Sequence, residues 1–78
     1  MKVKCYVNVI EERIVEIDDK FAKIAVARPW EHPELSKEDY EECARAVEEA
    51  TGLKFDEYEF PHIDAVECVE NGEMMLEL

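Results

Sequence analysis

The side chains best able to do chemistry in this chain are two histidines, three cysteines and a long series of acidic residues. His32 and His62 each lie beside a proline, and with Glu31 or Asp64 they could form a site of two histidines and one carboxylate for a divalent transition metal. The alternative is two ordinary loop histidines, and the sequence favours it because the pair lacks a characteristic spacing. We therefore expect no metal and no other cofactor.

The sequence contains no established catalytic motif. Its two glycines, Gly52 and Gly72, cannot build a phosphate-binding loop or a dinucleotide fingerprint. The only serine, Ser36, is better placed to cap a helix than to act as a nucleophile. We predict that the protein is not an enzyme, and a site built on His32 and His62 is the weakest of the functions considered.

The three cysteines indicate the compartment. Cys5, Cys43 and Cys68 are odd in number and widely spaced, with no CxxC pattern. Free thiols, with no signal peptide at the start of the chain, are typical of a reducing cytoplasm, where we expect the protein to reside. Cys5 and Cys43 fall on predicted core faces, whereas Cys68 is expected to be the exposed and reactive thiol.

Charge is the most unusual property of the chain. It has 78 residues, enough for one domain over 1–78, and 21 Asp and Glu against 9 Lys and Arg give a net charge of −12. The excess lies after Trp30: residues 31–59 hold eleven acids and three bases, and residues 60–78 hold five acids and no base. Such a chain repels nucleic acids and anionic membranes, so we expect its partner to be a basic protein surface.

One helix is predicted from Ser36 to Gly52. Ser36 and Asp39 have the spacing of a capping box, and Gly52 is suited to the left-handed residue that ends a helix. Apolar and small residues then recur at helical spacing and predict the buried face: Tyr40, Cys43, Ala44, Val47 and Thr51.

The opposite face of this helix is acidic. Glutamates three or four residues apart lie about 5–6 Å from one another on a helix, a separation similar to that of phosphates along a nucleic-acid strand. The alternative is a solvated face that only keeps the protein soluble. The predicted partner-binding residues are these acids, those of the following segment and Trp30 as an apolar anchor: Glu38, Glu41, Glu42, Glu48, Glu49, Asp56, Glu57, Glu59 and Trp30.

Alternating residues predict strands on both sides of the helix. Residues 3–10 alternate, 13–17 continue extended as part of one bent strand or as a second strand, and 21–28 are predicted to return as a strand after a turn at residues 18–20. The fold class is therefore α+β: a small, mostly antiparallel sheet of two β-hairpins in the order ββ-α-ββ, with one helix packed across it and a fifth strand as an alternative.

The second hairpin is predicted from Asn71-Gly72, a pair suited to a two-residue turn. That turn pairs Glu70 with Glu73. The resulting register predicts one apolar face made of Ala65, Val69, Met74, Leu76 and Leu78.

In size, charge and its Glu-rich helix over 36–51, the chain resembles two groups of small inhibitors. One contains phage and mobile-element inhibitors of bacterial defence, including anti-CRISPR proteins, and the other contains immunity proteins that block basic nucleases. The resemblance implies a protein that inhibits or masks a basic nucleic-acid-binding partner without binding nucleic acid itself. The alternative is a structural or adaptor subunit, or a homodimer, that assembles through a sheet edge.

Overall fold

The computed structural model describes residues 1–8, 10–26 and 34–78. They form an antiparallel sheet of four strands in the order β2-β1-β3-β4, with one α-helix, as the sequence predicts for an α+β fold. Between the helix and β3, where the sequence allows a fifth strand, the described residues make only an isolated bridge of Lys54 with His62. The elements are β1 (Lys2–Val7), β2 (Glu11–Glu16), a 3-10 helix (Asp19–Ile24), α1 (Lys37–Thr51), β3 (Ile63–Cys68) and β4 (Met74–Glu77).

The first hairpin lies earlier in the chain than predicted. β1 and β2 are two separate strands that pair from Val7 with Glu11 to Lys2 with Glu16. The backbone N–H of Ile10 donates to the Val7 carbonyl (3.2 Å), and Asn8 takes the positive φ of 51° that the turn between the strands requires.

The predicted return strand over 21–28 is wrong where the structure describes it, at residues 21–26. Residues 19–24 form the 3-10 helix, and Asp18 caps it by accepting the Lys20 N–H (2.8 Å) instead of forming a hairpin turn. Phe21 and Ile24, three residues apart, are both buried, a spacing that fits three residues per turn. Residues 27 and 28, and Pro29 expected to end the strand, lie outside the described residues.

The α-helix begins and ends as predicted. Its capping box is complete: the Asp39 N–H donates to Ser36 Oγ (3.4 Å) and the Ser36 N–H donates to Asp39 Oδ2 (2.8 Å). Gly52 ends the helix in the left-handed region at φ 73°, and its N–H donates to the Glu48 carbonyl (2.8 Å).

The hydrophobic core lies between this helix and one face of the sheet. Cys43 and Val47 of α1 are fully buried in one cluster with residues of the two central strands, and Phe21 and Ile24 close one side. The predicted core positions of Cys5 and Cys43 are confirmed. The core residues on the strands are Val3, Cys5, Ile63, Val66, Cys68 and Met75.

The predicted register of the second hairpin is wrong. Four residues, 69–72, lie between the hydrogen-bonded Cys68 and Glu73, instead of the predicted two. The Cys68 N–H donates to the Glu73 carbonyl (2.8 Å), and the N–H of Gly72, at φ 73°, donates to the Cys68 carbonyl (2.9 Å). Glu67 then pairs with Met74 and Val66 with Leu76, so Met75 is the extra residue of a bulge.

This register changes which side chains reach the core. Met75 is buried at 5% exposure, while Met74, Val69 and Leu78 of the predicted apolar face are exposed. Cys68, predicted to be the exposed thiol, is buried because its side chain lies on the same face as Val66.

Replacing the two adjacent methionines of β4 separately tests this register. Met75→Ala should lower the free energy of unfolding by about 2–5 kcal/mol, since it leaves a cavity in the core. Met74→Ala should change it by less than about 1 kcal/mol, because Met74 is 40% exposed. Urea unfolding of both variants measures the difference. A larger loss of unfolding free energy in Met74→Ala than in Met75→Ala would instead support the predicted two-residue turn.

Candidate acidic binding surface

The glutamates predicted on the outer side of α1 do lie there. We call Glu38, Glu41, Glu42, Glu48 and Glu49 the acidic helix face; all are exposed except Glu48, which is half-buried. Because Cys43 and Val47 fix the opposite side of the helix in the core, these acids point away from the sheet.

Ion pairs neutralise only part of the acidic helix face. Glu41 lies 3.9 Å from the Lys37 ammonium, and Glu42 lies 3.8 Å from the Lys20 ammonium. Exposed pairs at such distances contribute little and are screened by salt. Glu38 and Glu49 have no ionic partner in the described part of the chain, so they present unneutralised charge.

Glu48 has a structural contact that the sequence did not predict. Its Oε2 accepts the backbone N–H of Phe55 at 3.0 Å, which joins the last turns of α1 to the next segment of the chain. Substitution of Glu48 would therefore disturb the path of the chain as well as the charge.

The next predicted acids lie in loop 56–60, beyond the end of the helix. Asp56 Oδ1 accepts the N–H of Tyr58 (3.0 Å), and the Asp56 carbonyl accepts the N–H of Glu59 (3.0 Å), so Asp56 shapes the turn. Glu57 and Glu59 are exposed. Of the predicted binding residues, Trp30 lies outside the described residues.

His62 holds the end of this loop. Its Nδ1 lies 2.7 Å from the Glu59 carbonyl and its Nε2 lies 2.9 Å from Asp64 Oδ1. The backbone is fixed as well, since the His62 N–H donates to Asn8 Oδ1 (2.8 Å) and the Asn8 N–H donates to the His62 carbonyl (3.1 Å). The peptide bond between Phe60 and Pro61 is cis.

Both neighbours of the His62 ring accept hydrogen bonds, so the protonated ring with two N–H donors fits them best. The hydrogen bond to the Glu59 carbonyl and the Asp64 carboxylate therefore raise the pKa of His62 above its ordinary value, against the opposing effect of burial. The other oxygen of Asp64, Oδ2, is buried with no hydrogen-bond partner.

Around His62, the described residues offer no arrangement that could hold a metal ion. Both ring nitrogens of His62 are engaged, and the described residues contain no group of three His, Cys, Asp or Glu side chains placed to hold a metal. His32 and Glu31 lie outside the described residues. Cys5 and Cys43 are poorly suited to act as nucleophiles, since burial raises the pKa of both thiols to about 11.

Two exposed aromatic residues of loop 56–60, Tyr58 and Phe60, are the feature that sequence reasoning missed. Their alternation in the sequence is typical of a short strand. The available signal was their position among acids, where a buried strand is not expected.

Comparison with models of known protein families, with curated proteins and with solved structures gave no match. In the described ranges, no helix has the length and apolar character needed to cross a lipid bilayer.

The contacts of His62 predict a pH-dependent contribution to stability. Because its pKa is raised in the folded protein, its stabilising effect is complete below the unfolded pKa of about 6.5 and is lost as pH rises through the folded pKa. The difference in unfolding free energy between wild type and His62→Gln should therefore shrink with rising pH, measured by urea unfolding from pH 5.5 to 9. In Asp64→Asn, NMR titration should give His62 a lower pKa than in wild type; a wild-type value at or below 6.5 would contradict the assignment.

Proposed function

We propose that this chain is a small protein-binding module that docks its acidic helix face and loop 56–60 on a basic protein surface. By occupying a surface that binds nucleic acid, it would inhibit or mask its partner in the manner of an anti-defence or nuclease-immunity protein. The proposed action needs no catalytic group or cofactor, and its setting is the cytoplasm.

One observation carries this proposal: the acidic helix face is held in a fixed array. Cys43 and Val47 on the apolar side of α1 are fully buried, so the helix cannot turn its glutamates inward without unfolding the core. Glu38 and Glu49 at the two ends of this array have no ionic partner among the described residues. Acidic residues carried on one side of a helix whose orientation is set by the core favour fast, salt-sensitive association with a cationic site.

The charge balance supports the class of partner. With a net charge of −12, the protein is repelled by nucleic acid and by anionic lipid, and attracted by a surface of lysine and arginine. Surfaces of that kind are the ones that bind phosphate backbones.

Charge reversal at the two unpaired positions tests the proposal. The variant Glu38→Lys/Glu49→Lys should lose at least about tenfold in affinity for its partner at low salt and show a shallower salt dependence. The partner is first captured from host lysate on the wild-type protein, then purified and titrated over a salt series. A gel-shift assay should also show that wild type displaces nucleic acid from it.

The matched control is Glu12→Lys/Glu16→Lys, on exposed positions of β2. Each variant replaces two acids with two bases, so both change the net charge from −12 to −8. Equal losses of affinity in the two variants would show that binding depends only on the overall charge, which would contradict a defined acidic site.

A second candidate function, assembly through a sheet edge, is favoured by one observation. β4 lies at the edge of the sheet and pairs on one side only, with Met74 and Leu78 exposed along it. Such an edge is a template for pairing with a second copy or another chain.

Light scattering distinguishes the two candidates. Our proposal predicts a monomer of 9.1 kDa at millimolar concentration, because two copies each carrying a charge of −12 repel one another. A dimer that dissociates in the variant Glu77→Pro, which removes a backbone donor from the unpaired side of β4, would instead establish edge pairing.

A further inference from the structure

Tyr58 and Phe60 stand almost entirely in solvent, at 89% and 81% exposure. We infer that this aromatic pair is the apolar anchor of the interface and inserts into an apolar pocket, rimmed by lysine or arginine, on the basic partner. The inference rests on the proposed function, since it takes the partner to be basic, and it names the residues that supply binding energy beyond charge.

The backbone that carries the pair is held from within the domain. Asp56 fixes the N–H of Tyr58, and the His62 ring binds the Glu59 carbonyl between the two aromatic residues. The Phe60 ring packs edge-on against the His62 ring, with centroids 5.5 Å apart and planes at 90°. A loop ordered in this way loses little conformational entropy on binding, which raises affinity.

The apolar surface continues beyond the aromatic pair. Ile10, in the turn between β1 and β2, is 90% exposed. Ile10 and Pro61 line one hollow of about 220 Å³, and Asn8 beside them bonds to the backbone of His62. The β1–β2 turn and loop 56–60 therefore meet at the same end of the molecule, where exposed apolar groups are grouped instead of scattered.

The charges around the pair define the partner's chemistry. Asp56, Glu57 and Glu59 flank the aromatic residues, and Lys54 is the only Lys or Arg in residues 53–62. Arg13, which lines the hollow with Ile10 and Pro61, is paired with Glu11. An apolar anchor ringed by acids is matched by an apolar pocket ringed by cations. Tyrosine is enriched among interface residues that dominate binding, and its ring also attracts an arginine or lysine placed over its face.

Site-specific photocrosslinking tests where the partner binds. The full chain carries p-benzoylphenylalanine at position 58 and, as the matched control, at position 14, where Ile14 is an exposed apolar residue of β2. After irradiation in host lysate, position 58 should give a crosslink to a basic protein, mapped by mass spectrometry to a pocket bordered by lysine or arginine. No product at position 58, or equal products at both positions, would overturn the inference.

Affinity measurements on that purified partner test whether Tyr58 contributes binding energy. Tyr58→Ser should weaken binding by at least about tenfold, and by nearly the same factor at low and high salt, because the lost contact is apolar. Ile14→Ser should leave affinity unchanged. The side chain of Tyr58 makes no contact in the described structure that folding needs, and unchanged thermal unfolding of Tyr58→Ser would confirm that the fold is intact.

Comparison with Glu38→Lys/Glu49→Lys separates this inference from the proposed function. If the charge variant loses affinity and Tyr58→Ser does not, the aromatic anchor is wrong and the proposed function stands. If Tyr58→Ser loses affinity and the charge variant does not, the aromatic anchor stands and the proposed docking through the acidic helix face is contradicted. Wild-type affinity in both variants overturns both.

Discussion

The core lies on one face of a four-stranded sheet and is closed by a single α-helix, and this constraint determines how the remaining elements are placed. Burying one large aliphatic side chain contributes about 1.5–3 kcal/mol, whereas a like-charged pair on a helix costs about 0.2–0.5 kcal/mol. Burial of Val47 and its neighbours therefore outweighs the repulsion among the glutamates. The helix can carry a dense acidic face because its orientation is set by the core.

The same constraint fixes the connection from the helix back to the sheet. The chain must leave α1 at Gly52 and return to the sheet as β3, and Glu48 and His62 hold the two ends of that connection through hydrogen bonds. Loop 56–60 is thereby presented at one end of the domain, beside the β1–β2 turn. In our account, the helix supplies long-range attraction and this loop supplies the short-range contact, which is a common division between rim charges and buried anchors in interfaces.

The sequence predicted the features that depend on local chemistry. The helix could be bounded to the residue because Ser36, Asp39 and Gly52 each act through contacts within a few positions along the chain. The residues after Asp18 were misassigned, since Phe21 and Ile24 fit a 3-10 turn, and that preference is weak without the core around them. The hairpin register failed because burial of Met75 in the core and the hydrogen bond from Asn71 Nδ2 to the Ala25 carbonyl (3.1 Å) are long-range contacts that the Asn71-Gly72 pair does not encode.

The outward position of the acids was predictable from helical periodicity. The contacts of Glu42 with Lys20 and of Glu48 with Phe55 were not, because both join the helix to residues outside it. The proposed docking surface is tested most directly by an NMR titration of the labelled protein with its captured basic partner, read as backbone amide shifts. Docking through the acidic helix face and loop 56–60 predicts shifts concentrated at residues 38–49 and 56–60, with the sheet little changed. Shifts concentrated on Met74–Glu77 would contradict it.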